Sequence, residues 1–299
     1  MTTSTTSLAW SVATAAGVNA WVTSINTLFT TVGLVATSDT GQVANTGAVG
    51  ALSGNGTRGY QVFKFPDTLQ ATQPIFIRAD FNANSSAFPY VKLTVGSSTN
   101  GAGTIGTPQV TTLLSAITST YLTPLNSYAC YNDGTFACVL GAFVNTDDGS
   151  INNNAITAMV IDRARSSTGT ALVDGYLVEY PDNITSTVHY RSIYGSSSPA
   201  VNNFAIPSLI PSITATGSAA GTNVNVFRHY MMTPGVTPSL GCLSYFNSEF
   251  GALTPFTATV LGSSHTYLPM GLSMNQWSAT AANAPSGTGR THCCAIRWE

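Results

Sequence analysis

The chain has 299 residues, and only 7% of them are Asp, Glu, Lys or Arg, against about 25% in an ordinary soluble domain. Hydrophobic residues make up 43% and aromatic residues 10%, enough apolar material to offset chain entropy, so a folded protein is expected rather than a disordered one. The formal net charge is -2 with no clustered Lys or Arg, so no direct nucleic-acid binding is expected.

A folded surface this poor in charge repels its own copies weakly, which suits side-by-side packing in an assembly. Secreted or cell-surface β proteins with Ser/Thr/Asn-rich faces share that composition. Residues 1–38, 93–132 and 195–227 carry no charge. Ser, Thr, Asn, Gly or Pro interrupts each of them well before the roughly 20 apolar residues of a membrane helix, so no membrane span is expected. The stretch Met1–Ser7 lacks the positive n-region of a signal peptide, which leads to an expectation of cytoplasmic synthesis.

In chain order, the first element reads as a helix. Val18, Trp21, Val22, Ile25, Leu28, Phe29 and Val32 recur at three- and four-residue steps, with Gly33 as the stop. Such a stripe must be covered, either by the chain's own β domain or by a neighbouring subunit. Trp21, Ile25, Leu28 and Phe29 are the candidate assembly interface in the second case. Residues 37–42 then read as a turn and 45–57 as a loop or linker.

From Tyr60 the period becomes two. Strands are expected over 60–65, closing at Pro66-Asp67, over 74–81 with Ile75, Ile77, Ala79 and Phe81 on one face, and over 89–95. A meander follows, with strands over 136–145, 155–162 and 172–180. Residues 197–223 read as a long loop or arm. Further strands are expected over 224–231, 258–261 and 293–298. The expected fold is mainly β: an antiparallel β-sandwich or barrel-like domain with an N-terminal amphipathic helix. Residues 1–57 form helix and linker, 58–299 the β-rich domain, with a subdivision near 197–223. No internal repeat, heptad or collagen-like triplet is present, which argues against a long trimeric fibre shaft.

Motifs for chemistry are weak. Gly101-Ala-Gly103-Thr-Ile-Gly106 matches a dinucleotide-binding fingerprint in spacing, but Pro108 follows and no acid lies about 20 residues on, so a turn loop is expected. No nucleophile elbow is present. His189, His229, His265 and His292 are scattered. Asp147-Asp148 fits a hairpin turn better than a Ca²⁺ site. Cys130 and Cys138 flank Asn132-Asp133-Gly134, where a cross-hairpin disulfide competes with the favoured reading of reduced, buried thiols. Cys293-Cys294 beside His292 lacks a second ligand pair and reads as core packing. Asp162-Arg163-Ala164-Arg165 reads as a strand end. Tyr121, Tyr128, Tyr131, Tyr190 and Tyr194 near loop ends keep a glycan-binding role open. No catalytic residue, metal ligand or cofactor is expected.

Three stretches resemble a family of tailed-bacteriophage virion structural proteins. They are Gly33-Leu-Val-Ala-Thr-Ser-Asp-Thr-Gly-Gln42, Gly59-Tyr-Gln-Val-Phe-Lys-Phe-Pro-Asp-Thr-Leu-Gln-Ala-Thr-Gln-Pro-Ile-Phe-Ile-Arg78 and Leu93-Thr-Val-Gly-Ser-Ser-Thr-Asn-Gly-Ala-Gly-Thr-Ile-Gly106. The resemblance covers about the first third of the chain. It implies a non-enzymatic virion component of the tail, collar or head surface, with the tail or collar region as first choice, assembled in the host cytoplasm and partnered by its own copies and other virion proteins. A capsid decoration or cement protein, and a host-receptor or glycan-binding module, are the alternatives.

Overall fold

The structure is a computed structural model. It describes residues 2–8, 15–43, 56–83, 89–106, 110–111, 125–132, 134–142, 157–165 and 171–179. Beyond these it describes 191–192, 200–201, 213–216, 224–228, 242–246, 255–260, 263–273 and 292–297. Residues 45–55 of the expected linker 45–57, the Asp147-Asp148 turn, His189, His229, Tyr121, Tyr190 and Tyr194 lie outside the described residues.

The chain opens with strand β1 (Thr2–Leu8), then helix α1 (Ala15–Thr31) and the two-residue β2 (Val35–Ala36). Next come β3 (Gly56–Lys64), a 3-10 turn (Thr68–Ala71), β4 (Phe76–Ala83), β5 (Pro89–Gly96) and β6 (Val110–Thr111). Strands β2 to β6 form an antiparallel sheet in sequence order. The registers Phe63↔Ile77, Ile77↔Val95, Ala79↔Leu93 and Phe81↔Val91 bring the apolar positions of three strands onto one buried face.

The second sheet consists of β7 (Leu125–Asn132), β8 (Thr135–Ala142), β9 (Thr157–Arg165) and β10 (Ala171–Glu179), with β1 added beside β7. All its pairings are antiparallel. The expectation of helix and linker through residue 57 therefore needs amending at both ends. Residues 2–8 are a strand bound to a partner more than a hundred residues away, and Gly56 and Thr57 already belong to β3. β1 was hidden because Thr-Thr-Ser-Thr-Thr-Ser-Leu has no apolar alternation to read.

Downstream, β11 (Arg191–Ser192) pairs with β12 (Ala200–Val201). Then β13 (Ile213–Thr216), β14 (Val224–Arg228), β15 (Cys242–Phe246), β16 (Phe256–Val260), β17 (Ser263–Ser273) and β18 (His292–Arg297) pair cyclically, in the order β13-β14-β15-β18-β17-β16 and back to β13. The stretch expected as one long loop or arm thus contains β12 and β13. The opposed residues Phe256 and Tyr267 stack, both buried. The fold is mainly antiparallel β with one N-terminal helix.

The helix ends as its sequence expects. Gly33 adopts φ +111°, a conformation that costs glycine little. Its N–H donates to Thr30 O at 3.0 Å, and Leu34 N–H donates to Phe29 O at 3.0 Å. That pair of bonds closes the last turn, and Leu34 folds back over Phe29 with both buried.

The six stripe residues of α1, and Val32 just past its end, are at most 4% exposed. Phe29 meets Phe63 of the first sheet and Phe136 of the second edge-on, with centroids 5.1 and 5.2 Å away. Trp21 meets Phe81 at 5.4 Å. The helix, the β3–β5 face and the β7–β10 face share one core. Of the two expected covers for the stripe, the chain's own sheets supply it. Trp21, Ile25, Leu28 and Phe29 are consequently core residues and present no assembly surface, because their apolar area is already removed from water.

No helix among the described residues is long and apolar enough to cross a membrane.

Candidate functional site

Two aspartates anchor extended polar arrangements among the described residues. The first, Asp39, lies in the turn after β2 and is 4% exposed. Thr37 Oγ1 donates to Asp39 Oδ1 at 2.7 Å. Gly103 N–H donates to Oδ2 at 2.9 Å, and Thr99 Oγ1 donates to the same oxygen. Burial pushes this carboxyl up, but the Thr99, Thr37 and Gly103 hydrogen bonds outweigh it and leave its pKa below the ordinary 3.8.

These bonds join the turn 37–42 to the loop 97–106, about sixty residues later. Thr40 N–H donates to Gly101 O at 2.8 Å, and Tyr60 Oη from β3 donates to Thr40 O at 2.5 Å. Arg78 of β4 lies 4.1 Å above the Tyr60 ring, and its Nη1 donates to Gly103 O at 2.8 Å. Its other nitrogens hold Asp80, two residues along the same strand face. Behind the turn, Gln42 Oε1 accepts from Gln61 Nε2 at 2.6 Å and from Val62 N–H at 2.5 Å. Gln42 Nε2 in turn donates to the Thr37 and Asp39 carbonyls, both at 2.9 Å.

The loop itself is folded by Asn100, whose Oδ1 accepts from Ala102 N–H and Thr104 N–H at 2.9 and 3.0 Å. Glycine is required at position 103 for two reasons. Its φ is +83°, and a Cβ there would lie 2.2 Å from Tyr60 Cε2. The nucleotide-fingerprint spacing is therefore a turn between the bridge residues Thr99 and Ile105, as expected. Ser38, Thr40, Gly41, Asn100, Gly101, Ala102 and Thr104 are exposed, all of them small or uncharged, and the part-exposed Arg78 and Asp80 neutralise each other beside them.

The second aspartate, Asp67, follows β3 and grips Arg163 of β9. Arg163 is 2% exposed. Its Nε and Nη2 donate to the two Asp67 oxygens at 2.7 and 2.6 Å, a bidentate pair. Nη1 donates to Gln73 O at 2.7 Å, and Tyr131 Oη donates to Asp67 Oδ2 at 2.8 Å. Burial raises the Asp67 carboxyl, but the Arg163 and Tyr131 hydrogen bonds and the guanidinium charge win, and its pKa lies below 3.8. Burial, followed by the neighbouring Asp67 anion, pushes the Tyr131 hydroxyl strongly up. Phe65 sits under the guanidinium at 5.5 Å and edge-on to Tyr131. The clamp fixes the 65–75 segment of one sheet to β7 and β9 of the other. Arg163, in the stretch Asp162-Arg163-Ala164-Arg165 expected as a strand end, lies near the end of β9 and pairs with Asp67.

Both carboxylates are held as anions by saturated donors. That arrangement fixes backbone; it does not poise a proton for transfer near neutral pH. Among the described residues no group of three or more His, Cys, Asp or Glu gathers as for a metal ion.

Cys130 and Cys138 are buried thiols that form no disulfide. The register explains why: Cys130 opposes Ala137 and Cys138 opposes Ala129, which sends the two sulfurs to opposite faces of the β7–β8 hairpin. Reduced thiols, the favoured reading, are what the structure contains. Burial first, then Cys130, pushes the Cys138 thiol strongly up, so it is not a reactive thiolate. Cys293 and Cys294 lie in β18.

An open groove of about 430 Å³ runs beside the polar side of α1, with Val22, Val43 and Phe63 among its lining and Asn26, Thr30 and Gln61 around them. Tyr128 and Tyr131, two of the candidate glycan-contacting tyrosines, do not line it. They are partly buried, and Tyr131 is committed to Asp67.

Sequence reading located Asp39 and Asp67 in turns and missed both partnerships. The one available signal was scarcity: in a chain with 10 Lys and Arg and 12 Asp and Glu, each charge inside an apolar strand asks for a partner. No family model matches the chain, and neither curated proteins nor solved structures yield a match to it.

Proposed function

We propose that this chain is a non-enzymatic structural component of a bacteriophage virion, of the tail or collar region, assembling in multiple copies. One observation carries the reading. The three stretches that resemble the virion family are separate in sequence, yet each supplies residues to the Asp39 junction: Thr37, Asp39, Thr40 and Gln42 from the first, Tyr60, Gln61 and Arg78 from the second, Thr99, Asn100 and Gly103 from the third. Separate stretches of resemblance that meet at one junction are what a shared structural device would leave. The small, neutral outer surface of that unit and the 7% charge of the chain support packing against neighbours.

At finer grain, the two five-stranded sheets and the helix read as a sandwich-like body, and the cyclic six-strand set as a small barrel. Virion localisation follows from the same reading. A capsid decoration protein differs from a tail or collar component in copy number, and a receptor- or glycan-binding module differs in ligand.

Quantitative mass spectrometry of purified particles tests the proposal. The protein is expected in the particle, at about 6 or 12 copies for a collar or baseplate position and at hundreds for a head surface or repeating tube. Its absence from particles overturns the reading. Selective binding on a glycan array would favour the receptor-binding role instead.

A further inference from the structure

The edges of the two five-stranded sheets are unequal. The first sheet ends in β2 and β6, of two residues each. Beyond β2, the outer length of β3 carries Arg58 and a register shift between Thr57 and Gly59. In the second sheet, β10 carries Asp174 and Glu179 and a register shift between Ala171 and Tyr176. Short strands, charges and bulges are the devices that stop an edge from recruiting another strand.

The opposite edge, β1, has none of them. Its seven residues, Thr-Thr-Ser-Thr-Thr-Ser-Leu, include no charge, Pro or Gly. They pair with β7 without a break from Thr2↔Tyr131 to Leu8↔Leu125. Among the described residues no strand pairs with the other side of β1. A strand at the edge of a sheet presents a row of backbone donors and acceptors that a second strand satisfies.

We propose that β1 joins two copies of this chain, edge to edge and antiparallel, about a twofold axis at Thr5. The sheets of the two copies then run on as one. The occupant is argued from the strand itself. About Thr5, Ser4 would oppose Thr6 and Thr3 would oppose Ser7, so hydroxyl residues meet hydroxyl residues, with Thr2 opposite Leu8 at the ends. A twofold contact needs that self-complementarity. No charge occurs from residue 1 to 38 to repel the approaching copy. The proposal refines the self-association in the functional reading above and is tested apart from it.

The test is cysteine cross-linking of the purified full-length chain, read by mass spectrometry of the peptide that contains the new cysteine. Opposed residues in an antiparallel pair sit about 4.5 to 5.5 Å apart at Cα, inside disulfide range. Thr5→Cys is therefore expected to give a 5-to-5 linked dimer on mild oxidation, about tenfold more than Thr2→Cys, whose two copies would lie about 20 Å apart. Thr2→Cys mixed with Leu8→Cys should link again. In sedimentation, Thr5→Lys should abolish the dimer that the parent chain forms, with the thermal melt unchanged. A Thr5→Cys chain that melts like the parent but links no better than Thr2→Cys rejects the pairing. So does a parent chain that stays monomeric at high concentration, or a dimer linked elsewhere. Particles that contain the protein without the 5-to-5 link reject the pairing alone; particles that lack the protein reject the virion reading alone.

Discussion

Asp39 and Asp67 are both partly or fully withdrawn from water and both held as anions, yet by different means. Asp67 meets a guanidinium from another sheet, ninety-six residues away. Asp39 meets two hydroxyls and a backbone N–H from loops of its own sheet. An ion pair buried on the Arg163 side has two groups at stake: remove one and the other is stranded. A carboxylate bound by neutral donors strands only donors, and hydroxyls can turn elsewhere. The difference separates a clamp that holds two sheets together from a junction that shapes one surface.

The largest expected effect is therefore at the clamp. Asp67→Ala should cost about 3 to 5 kcal/mol in urea denaturation, because Arg163 stays buried without its anion. Adding Arg163→Met should recover much of that loss; a double variant as unstable as the single one would mean the pair itself stabilises the fold. Next comes Gly103→Ala, expected to cost about 3 kcal/mol from a positive φ and a clash with the Tyr60 ring together. Gly101→Ala has a positive φ but open space, and should cost only about 1 kcal/mol. Equal losses at the two glycines would remove the Tyr60 contact from the account. Between these, Asp39→Ala should cost about 2 kcal/mol, mainly for the Gly103 N–H left without a partner. A loss larger than that of Asp67→Ala would reverse the comparison.

The smallest effect is that of mild acid. Both carboxyls have folded-state pKa values below 3.8, so the unfolded chain takes up their protons first. Their contribution is complete above about 3.8 and is lost as pH falls below it through the lower folded values. Urea midpoints measured from pH 5 downward should fall, and less steeply in Asp67→Asn than in the parent. A parent midpoint that rises on acidification would contradict the sign.

Much of the first half was legible because its periods are strong. The α1 stripe, the Gly33 stop and the Ile75–Phe81 face each follow from one local rule, and each is buried or placed accordingly. β15 and β17 escaped that reading. β17 carries Pro269 beside a register shift, and β15 is five residues with one Cys, so neither alternates long enough to be seen.

By itself, the sequence determined the class of fold, the helix and its apolar face, the turn chemistry at Gly101 and Gly103, and the scarcity of charge. These are properties of neighbours a few residues apart. Only the tertiary structure decided what covers the helix, which way Cys130 and Cys138 point, where Arg163 finds its anion, and that Thr2–Leu8 is a strand at all. Each of those depends on pairing between distant segments. Register and sheet order set such pairings, and no local period encodes them.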